Sequence, residues 1–187
     1  AGKTGVSSLN NLPIDAHRDE ILTQLCVHKT QLLVAAPGTG KSTRIPPFLS
    51  QKVGKTLLIQ PRRTAAKMLA HRIAEEWGCT VGMEVGYQIR FDACYGKKTQ
   101  LLIVTEGIAR QRMLSDPFLE EFSVIILDEV HERSLNSDIL LGLFKELRTM
   151  RPELHIQLIS ATIDPQRYID FFESALHVYT VEGRKYD

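Results

Sequence analysis

The sequence predicts an α/β domain: a three-layer, parallel sheet with helices on both faces. Three observations carry that expectation. Short apolar runs alternate with helix-period segments along the whole chain, the pattern of strands joined by helical crossovers. The run Leu32-Leu33-Val34-Ala35 feeds a glycine-bearing turn and then residues able to start a helix. A second run, Val124-Ile125-Ile126-Leu127, ends in Asp128-Glu129, as a buried strand does when it delivers acids to the carboxyl edge of a sheet.

The elements run in order along the chain. A strand is expected at 31–36 and a helix from 41; Pro46 and Pro47 lie close to its start, where the first turn lacks internal N–H partners. A strand at 56–60 precedes a helix at 63–76, whose Leu69, Ile73 and Trp77 share one face; Trp77 is read as core. Strands at 85–90 and 100–104, a helix at 106–114 and a strand at 123–128 come next. The chain closes with a helix near 136–149, a strand at 154–160, a helix at 165–172 and a strand at 176–181. No internal repeat or low-complexity linker divides this run, so residues 12–181 are expected to form one domain behind a flexible tail at 1–11.

The glycine turn has the chemistry of a phosphate cradle. Within Ala35-Ala36-Pro37-Gly38-Thr39-Gly40-Lys41-Ser42, Gly38 and Gly40 let backbone N–H groups converge. Lys41 would set its ammonium against β- and γ-phosphates and Ser42 would ligate Mg²⁺. Pro37, Thr39 and Thr43 complete the expected nucleotide-binding set, and the helix N-terminus favours anions. The pattern G-x-x-x-x-G-K-[ST] asks for glycine where Ala35 stands. Asp128 is the expected magnesium carboxylate. Glu129, also a candidate metal ligand, is expected to orient and deprotonate the attacking water. Either segment alone would be as readily a strand end and a solvated turn; the two together, in this order, are not.

Composition narrows the classes. The chain has 187 residues, 43% hydrophobic, with 23 Lys+Arg against 22 Asp+Glu and a net charge of +1, so any nucleic-acid site must be local rather than a general basic excess. Cys26, Cys79 and Cys94 are odd in number and widely spaced, which favours reduced structural thiols and a cytoplasmic setting. No apolar stretch reaches the roughly 18 residues of a membrane span, and no leader opens the chain.

Further motifs extend the pattern, and with them the chain resembles the first RecA-like domain of a superfamily 2 RNA helicase of the DEAH/DExH type, from about Leu12 to the C-terminus. Gln60-Pro61-Arg62-Arg63-Thr64-Ala65-Ala66 looks like motif Ia, Thr105-Glu106-Gly107 like motif Ib and Ser160-Ala161-Thr162 like motif III. Asp128-Glu129-Val130-His131 is the acidic box, and the stretch from His131 to Leu140 is close to the segment after that box in DEAH enzymes. Val130 replaces the usual alanine, Glu106 the usual aspartate, and Ala-Pro-Gly-Thr-Gly the Thr-Gly-Ser-Gly of spliceosomal members. The variants look more like bacterial Hrp-type helicases, with flaviviral helicases more distant.

The resemblance implies ATP and Mg²⁺ as cofactors and single-stranded RNA as partner, with DNA also open. It implies RNA contacts at Pro61, Arg62, Arg63, Thr105 and Gly107, and at Arg90 in a loop on the same side. For Arg90, solvation of a turn competes with that role. Arg72 takes the place of an arginine that stacks on the nucleotide base; a helical pair with Glu75 or Glu76 is the competing reading. His131, Ser160 and Thr162 are expected to form a polar network that reports the γ-phosphate to a partner domain. No Gln-x-x-Gly-Arg-x-Gly-Arg stretch, the family's arginine-finger motif, occurs after Thr162. Residues 182–187 resemble the linker to a second RecA-like domain, so this chain is expected to be a monomeric half-motor that hydrolyses ATP poorly by itself. A non-helicase P-loop NTPase is one alternative, disfavoured by the missing Asn-Lys-x-Asp and by Glu beside Asp in the acidic box; a nucleic-acid scaffold with a vestigial phosphate site is the other, against which the intact Lys41, Ser42, Asp128 and Glu129 argue.

Overall fold

The computed structural model describes residues 11–161 and 164–182. The expected tail and linker, all but Asn11 and Glu182, lie outside that range. A 3₁₀ turn at Pro13–Ala16 leads into α1 (Arg18–His28), β1 (Thr30–Ala35), α2 (Lys41–Lys52), β2 (Thr56–Gln60) and α3 (Arg63–Trp77). Then come β3 (Val85–Ile89), β4 (Asp92–Cys94), β5 (Leu101–Thr105), α4 (Glu106–Ser115) and β6 (Val124–Leu127). The chain continues through α5 (Leu135–Met150), β7 (His155–Ser160), α6 (Gln166–Phe172) and β8 (Leu176–Val181).

The strands form one sheet in the order β4-β3-β5-β2-β6-β7-β1-β8, parallel except for β4 against β3. Because successive strand residues point to opposite faces, each apolar run supplies two cores. Leu32, Leu57, Ile125 and Ile156 pack with Met113 of α4, Phe144 of α5 and Phe172 of α6. Leu33, Leu58 and Ile126 pack with Leu25 of α1, Leu49 of α2 and Ile73 of α3, and the half-buried Trp77 packs against this second cluster, as expected of a core residue. The result is the expected three-layer α/β sandwich.

Three local features depart from the sequence reading. The helix α1 has no counterpart among the expected elements: only Ile21 and Leu25 of its eleven residues are buried, and it stops at Lys29, a left-handed residue (φ 67°), rather than at a glycine. Strand β4 is a three-residue, partly exposed edge with no apolar run to mark it. Pro46 and Pro47 lie beyond the first turn of α2. The first-turn explanation therefore fails, since both rings remove N–H groups that the carbonyls of Ser42 and Thr43 would otherwise receive.

Candidate nucleotide site and nucleic-acid edge

The turn after β1 depends on two glycines. Gly38 (φ 82°) and Gly40 (φ 89°) both adopt left-handed backbone that other residues enter at a cost. Gly40 is needed twice over, because a Cβ there would meet Leu12 Cδ1 at 2.5 Å. Leu12 belongs to a brace over the turn: Ile14 N–H donates to the Thr39 carbonyl at 3.0 Å, and Asp15 accepts from Arg44 of α2 at 2.8 Å. Ala35 in place of the pattern's glycine costs nothing, since it is still a β1 residue paired with Val181 of β8 and has ordinary strand backbone.

Lys41 opens α2, buried beneath the turn, and its Nζ donates to the Ala35 carbonyl at 2.8 Å. Burial pulls its pKa below the usual lysine range, with the Glu129 and Asp128 carboxylates pulling the other way. Asp128 sits directly after β6, where its N–H donates to the Ile59 carbonyl of β2 at 3.0 Å, and Val130 N–H donates to Ile159 of β7 at 3.0 Å. The acidic box is thus stitched between its two neighbouring strands. Burial pushes the Asp128 carboxyl up to about 6, against a hydrogen bond with Ser42 that lowers it. Gln60 Nε2 donates to its Oδ2, and the Glu129 N–H to its Oδ1 at 2.9 Å. Glu129 holds φ at 59°, a strained value for a residue with a Cβ and one common at functional sites. That kink turns the Glu129 side chain toward His131, whose Nε2 lies 3.0 Å from Glu129 Oε2 while Nδ1 accepts the Ala161 N–H at 3.0 Å.

Pro37, Gly38, Gly40, Lys41, Ser42, Thr43, Arg72, Glu129, His131, Glu132 and Ala161 line one cavity of about 540 Å³. The structure therefore brings together most of the expected nucleotide set. Thr39 is buried behind the turn, donating from its hydroxyl to the Ala36 carbonyl at 2.8 Å. Arg72 makes the helical pair with Glu76 (3.7 Å) and also reaches the cavity, so its two readings are compatible. Ser160 ends β7 fully buried beside this site, and Thr162 lies outside the described residues. The fit to a magnesium-bound triphosphate rests on the donor set: a hydroxyl and a buried carboxylate, oxygen ligands of the kind hard divalent cations take, stand beside a lysine and one turn opened by two glycines.

The other half of the same carboxyl edge carries the expected strand-gripping residues. Pro61, Arg62 and Arg63 come after β2, Arg90 after β3, Thr105 ends β5 and Gly107 sits in the first turn of α4. Since β2, β5 and β3 are consecutive in the sheet, these residues form one rim. Arg63 donates to the Arg90 carbonyl at 2.9 Å, and Lys67 to Asp92 at 2.7 Å, tying the β3–β4 turn to α3. Thr105 is buried at the N-cap position of α4 without a side-chain cap bond, whereas Gly107 is exposed with open space around it.

Sequence reasoning passes over several residues here. Gln60 is the polar end of an otherwise apolar strand, the one signal that marks it. Glu132 pairs with Arg62 at 2.9 Å. Glu106 is buried with its carboxyl pushed up by desolvation, and accepts from the Ser134 hydroxyl at 2.9 Å. Ser134 in turn caps α5 by accepting the Ser137 N–H at 3.0 Å, and Tyr168 of α6 donates to the Val130 carbonyl at 2.8 Å. Among the described residues no helix is long and apolar enough to cross a membrane.

Comparison with known proteins agrees with this geometry. The family model for the DEAD/DEAH box helicase matches residues 16–171. The chain is 39% identical over 183 residues to the "Probable ATP-dependent RNA helicase DHR2" of Saccharomyces cerevisiae, a match covering 94% of this chain and 25% of that protein. This chain thus spans about a quarter of the length of that relative. The matched region takes in the phosphate turn, the acidic box and the rim beside them, and the chain belongs to the DEAD/DEAH box helicase family.

Proposed function

We propose that this chain is the ATP-binding half of an RNA helicase motor, in which nucleotide hydrolysis drives movement along a single strand and remodelling of duplex or ribonucleoprotein. One observation carries the reading: the phosphate cavity and the basic rim share the carboxyl edge of one sheet and meet at the β2/β6 seam. The turn amides and Lys41 grip the β- and γ-phosphates, and Arg72 lies where a base could stack. Ser42 and Asp128, with Glu129 beside them, hold Mg²⁺, which when bound neutralises phosphate charge. Glu129 orients and deprotonates the attacking water, and His131 with Ser160 and Thr162 relays the outcome.

The rim of Pro61, Arg62, Arg63, Arg90, Thr105 and Gly107 takes the backbone of single-stranded RNA, without sequence readout. The relative's description as an RNA helicase favours RNA over DNA. A second RecA-like domain in the same polypeptide supplies the arginine finger, worth about 10³–10⁵ in rate in related phosphoryl-transfer enzymes. The greater length of the relative accords with that arrangement. The free cysteines Cys26, Cys79 and Cys94 fit a cytoplasmic protein, and the chain by itself is taken as a monomer.

Steady-state ATP turnover with and without single-stranded RNA tests the reading, with Glu129→Gln as the blank. The chain alone should turn over at the blank's level, and a polypeptide that includes the second domain should show RNA-stimulated turnover that Glu129→Gln abolishes. Brisk turnover by this chain alone would contradict the half-site. Absence of RNA stimulation in the longer polypeptide would leave a P-loop NTPase of another kind.

A further inference from the structure

Two residues of one short stretch hold two acids of another across the β2/β6 seam. Gln60, the last residue of β2, donates to Asp128, and Arg62, two positions on, pairs its Nη2 with Glu132 Oε2 at 2.9 Å. The two acids sit in different surroundings: Asp128 is sealed from solvent, while Arg62 and Glu132 have side chains 71% and 34% exposed. Glu132 is held by a tight turn, its N–H donating to the Glu129 carbonyl at 2.9 Å. Its carboxylate lies within 4.8 Å of ligand atoms of Glu129 and His131 and lines the nucleotide cavity. Arg62, in contrast, stands on the rim, as the extended residue just before α3.

We propose that the Arg62–Glu132 pair is a latch shared by RNA and nucleotide. A backbone phosphate of RNA and the Glu132 carboxylate compete for the same guanidinium. This rests on the reading above, that the rim takes RNA and the cavity takes Mg-nucleotide. A backbone phosphate, like a carboxylate, offers a guanidinium two oxygens and one negative charge, so it can take the carboxylate's place, and an exposed ion pair is weak enough to be exchanged. Once RNA takes Arg62, the Glu132 charge is left uncompensated against an anionic nucleotide. RNA and nucleotide therefore weaken each other's binding through this pair, by the same factor in both directions. Gln60 keeps Asp128 fixed while the latch two residues away exchanges partners, so the magnesium carboxylate is insulated from the event.

The test is a double-mutant cycle on this chain, read by fluorescence anisotropy of a labelled oligouridylate at low salt. Glu132→Gln should tighten RNA binding by about two- to fivefold, the fold-change equivalent of an exposed ion pair, and should change nothing in the Arg62→Gln background. Saturating RNA should weaken binding of a fluorescent Mg-ADP to the parent, and that antagonism should vanish in Glu132→Gln. An equal effect of Glu132→Gln in both backgrounds would show a general charge effect and overturn the latch, as would antagonism that survives Glu132→Gln. A parent chain that binds no RNA would overturn the proposed function itself, and the latch with it.

Discussion

His131 joins Glu129 to Ala161: its Nε2 lies 3.0 Å from the Glu129 carboxylate, and its Nδ1 accepts the Ala161 N–H at 3.0 Å. Because Nδ1 is an acceptor, the ring proton sits on Nε2 and points at Glu129. The imidazole thus orients that carboxylate and anchors it to the segment after β7. His131→Ala should leave Mg-nucleotide affinity nearly unchanged and, in a polypeptide that includes the proposed second domain, lower RNA-stimulated turnover about 10- to 100-fold, the usual cost of losing an orienting partner. A parallel loss of nucleotide affinity, measured by titration, would show that His131 contacts the nucleotide instead.

Magnesium dependence should track the Asp128 carboxyl. Its pKa of about 6 lies above the 3.8 of an unperturbed aspartate, because burial penalises the ionised form. Metal binding needs that ionised form, so affinity for Mg-nucleotide should fall as pH drops through about 6. The same shift means that, without ligand, this group makes the fold less stable as pH rises from about 4 to about 6. Thermal scans at several pH values should show the Mg-nucleotide-induced rise in Tm shrinking toward acid; a rise of constant size would contradict the assignment.

One histidine on the α1 side acts in the opposite sense. His177 of β8 stacks flat on His28 at 4.4 Å, and burial together with the His28 charge, the smaller of the two effects, lowers its pKa below 6.5. A base whose folded pKa is depressed contributes stability at neutral pH that is lost as pH falls through the unfolded and then the folded value. His177→Phe keeps a stacked ring without the proton site, so its Tm should fall less than the parent's between about pH 7 and about pH 5. Identical pH profiles would mean that the pair is not strained by protonation.

Ser134 serves two elements, capping α5 and satisfying the buried Glu106 at the start of α4. Ser134→Ala should cost about 1–3 kcal/mol, combining a lost cap with an unsatisfied buried acid. Chemical denaturation measures it; a change below about 0.5 kcal/mol, the size of an ordinary surface substitution, would show that water replaces the hydroxyl.

The features legible in the sequence are contiguous along it. The runs Leu32–Ala35 and Val124–Leu127 are apolar enough to be recognised alone, and the glycines, Lys41 and the two acids act within a few residues of each strand end. The rim is legible for the same reason, since Arg62 and Gly107 each lie just past a strand. The features that escape sequence reading depend on partners far along the chain. Leu12 is informative only because Gly40 lies beneath it, and Gln60 only because Asp128 lies beside it. Glu106 reads as a substitution within a motif, and its reason is a hydroxyl 28 positions away. The helix α1 shows too narrow an apolar stripe, and β4 too short a run, for period alone to reveal them. Pro46 and Pro47 mislead because a boundary shift of a few residues changes which N–H groups of the helix are missing.

The most direct test of the central claim is equilibrium titration of this chain with a fluorescent ATP analogue, with Mg²⁺ and with EDTA. The account predicts saturable, Mg-dependent binding that Lys41→Ala weakens about 10- to 100-fold, matching the worth of a charged hydrogen bond. Binding that is indifferent to both EDTA and Lys41→Ala would show that the cavity between the glycine turn and the acidic box is not the nucleotide site.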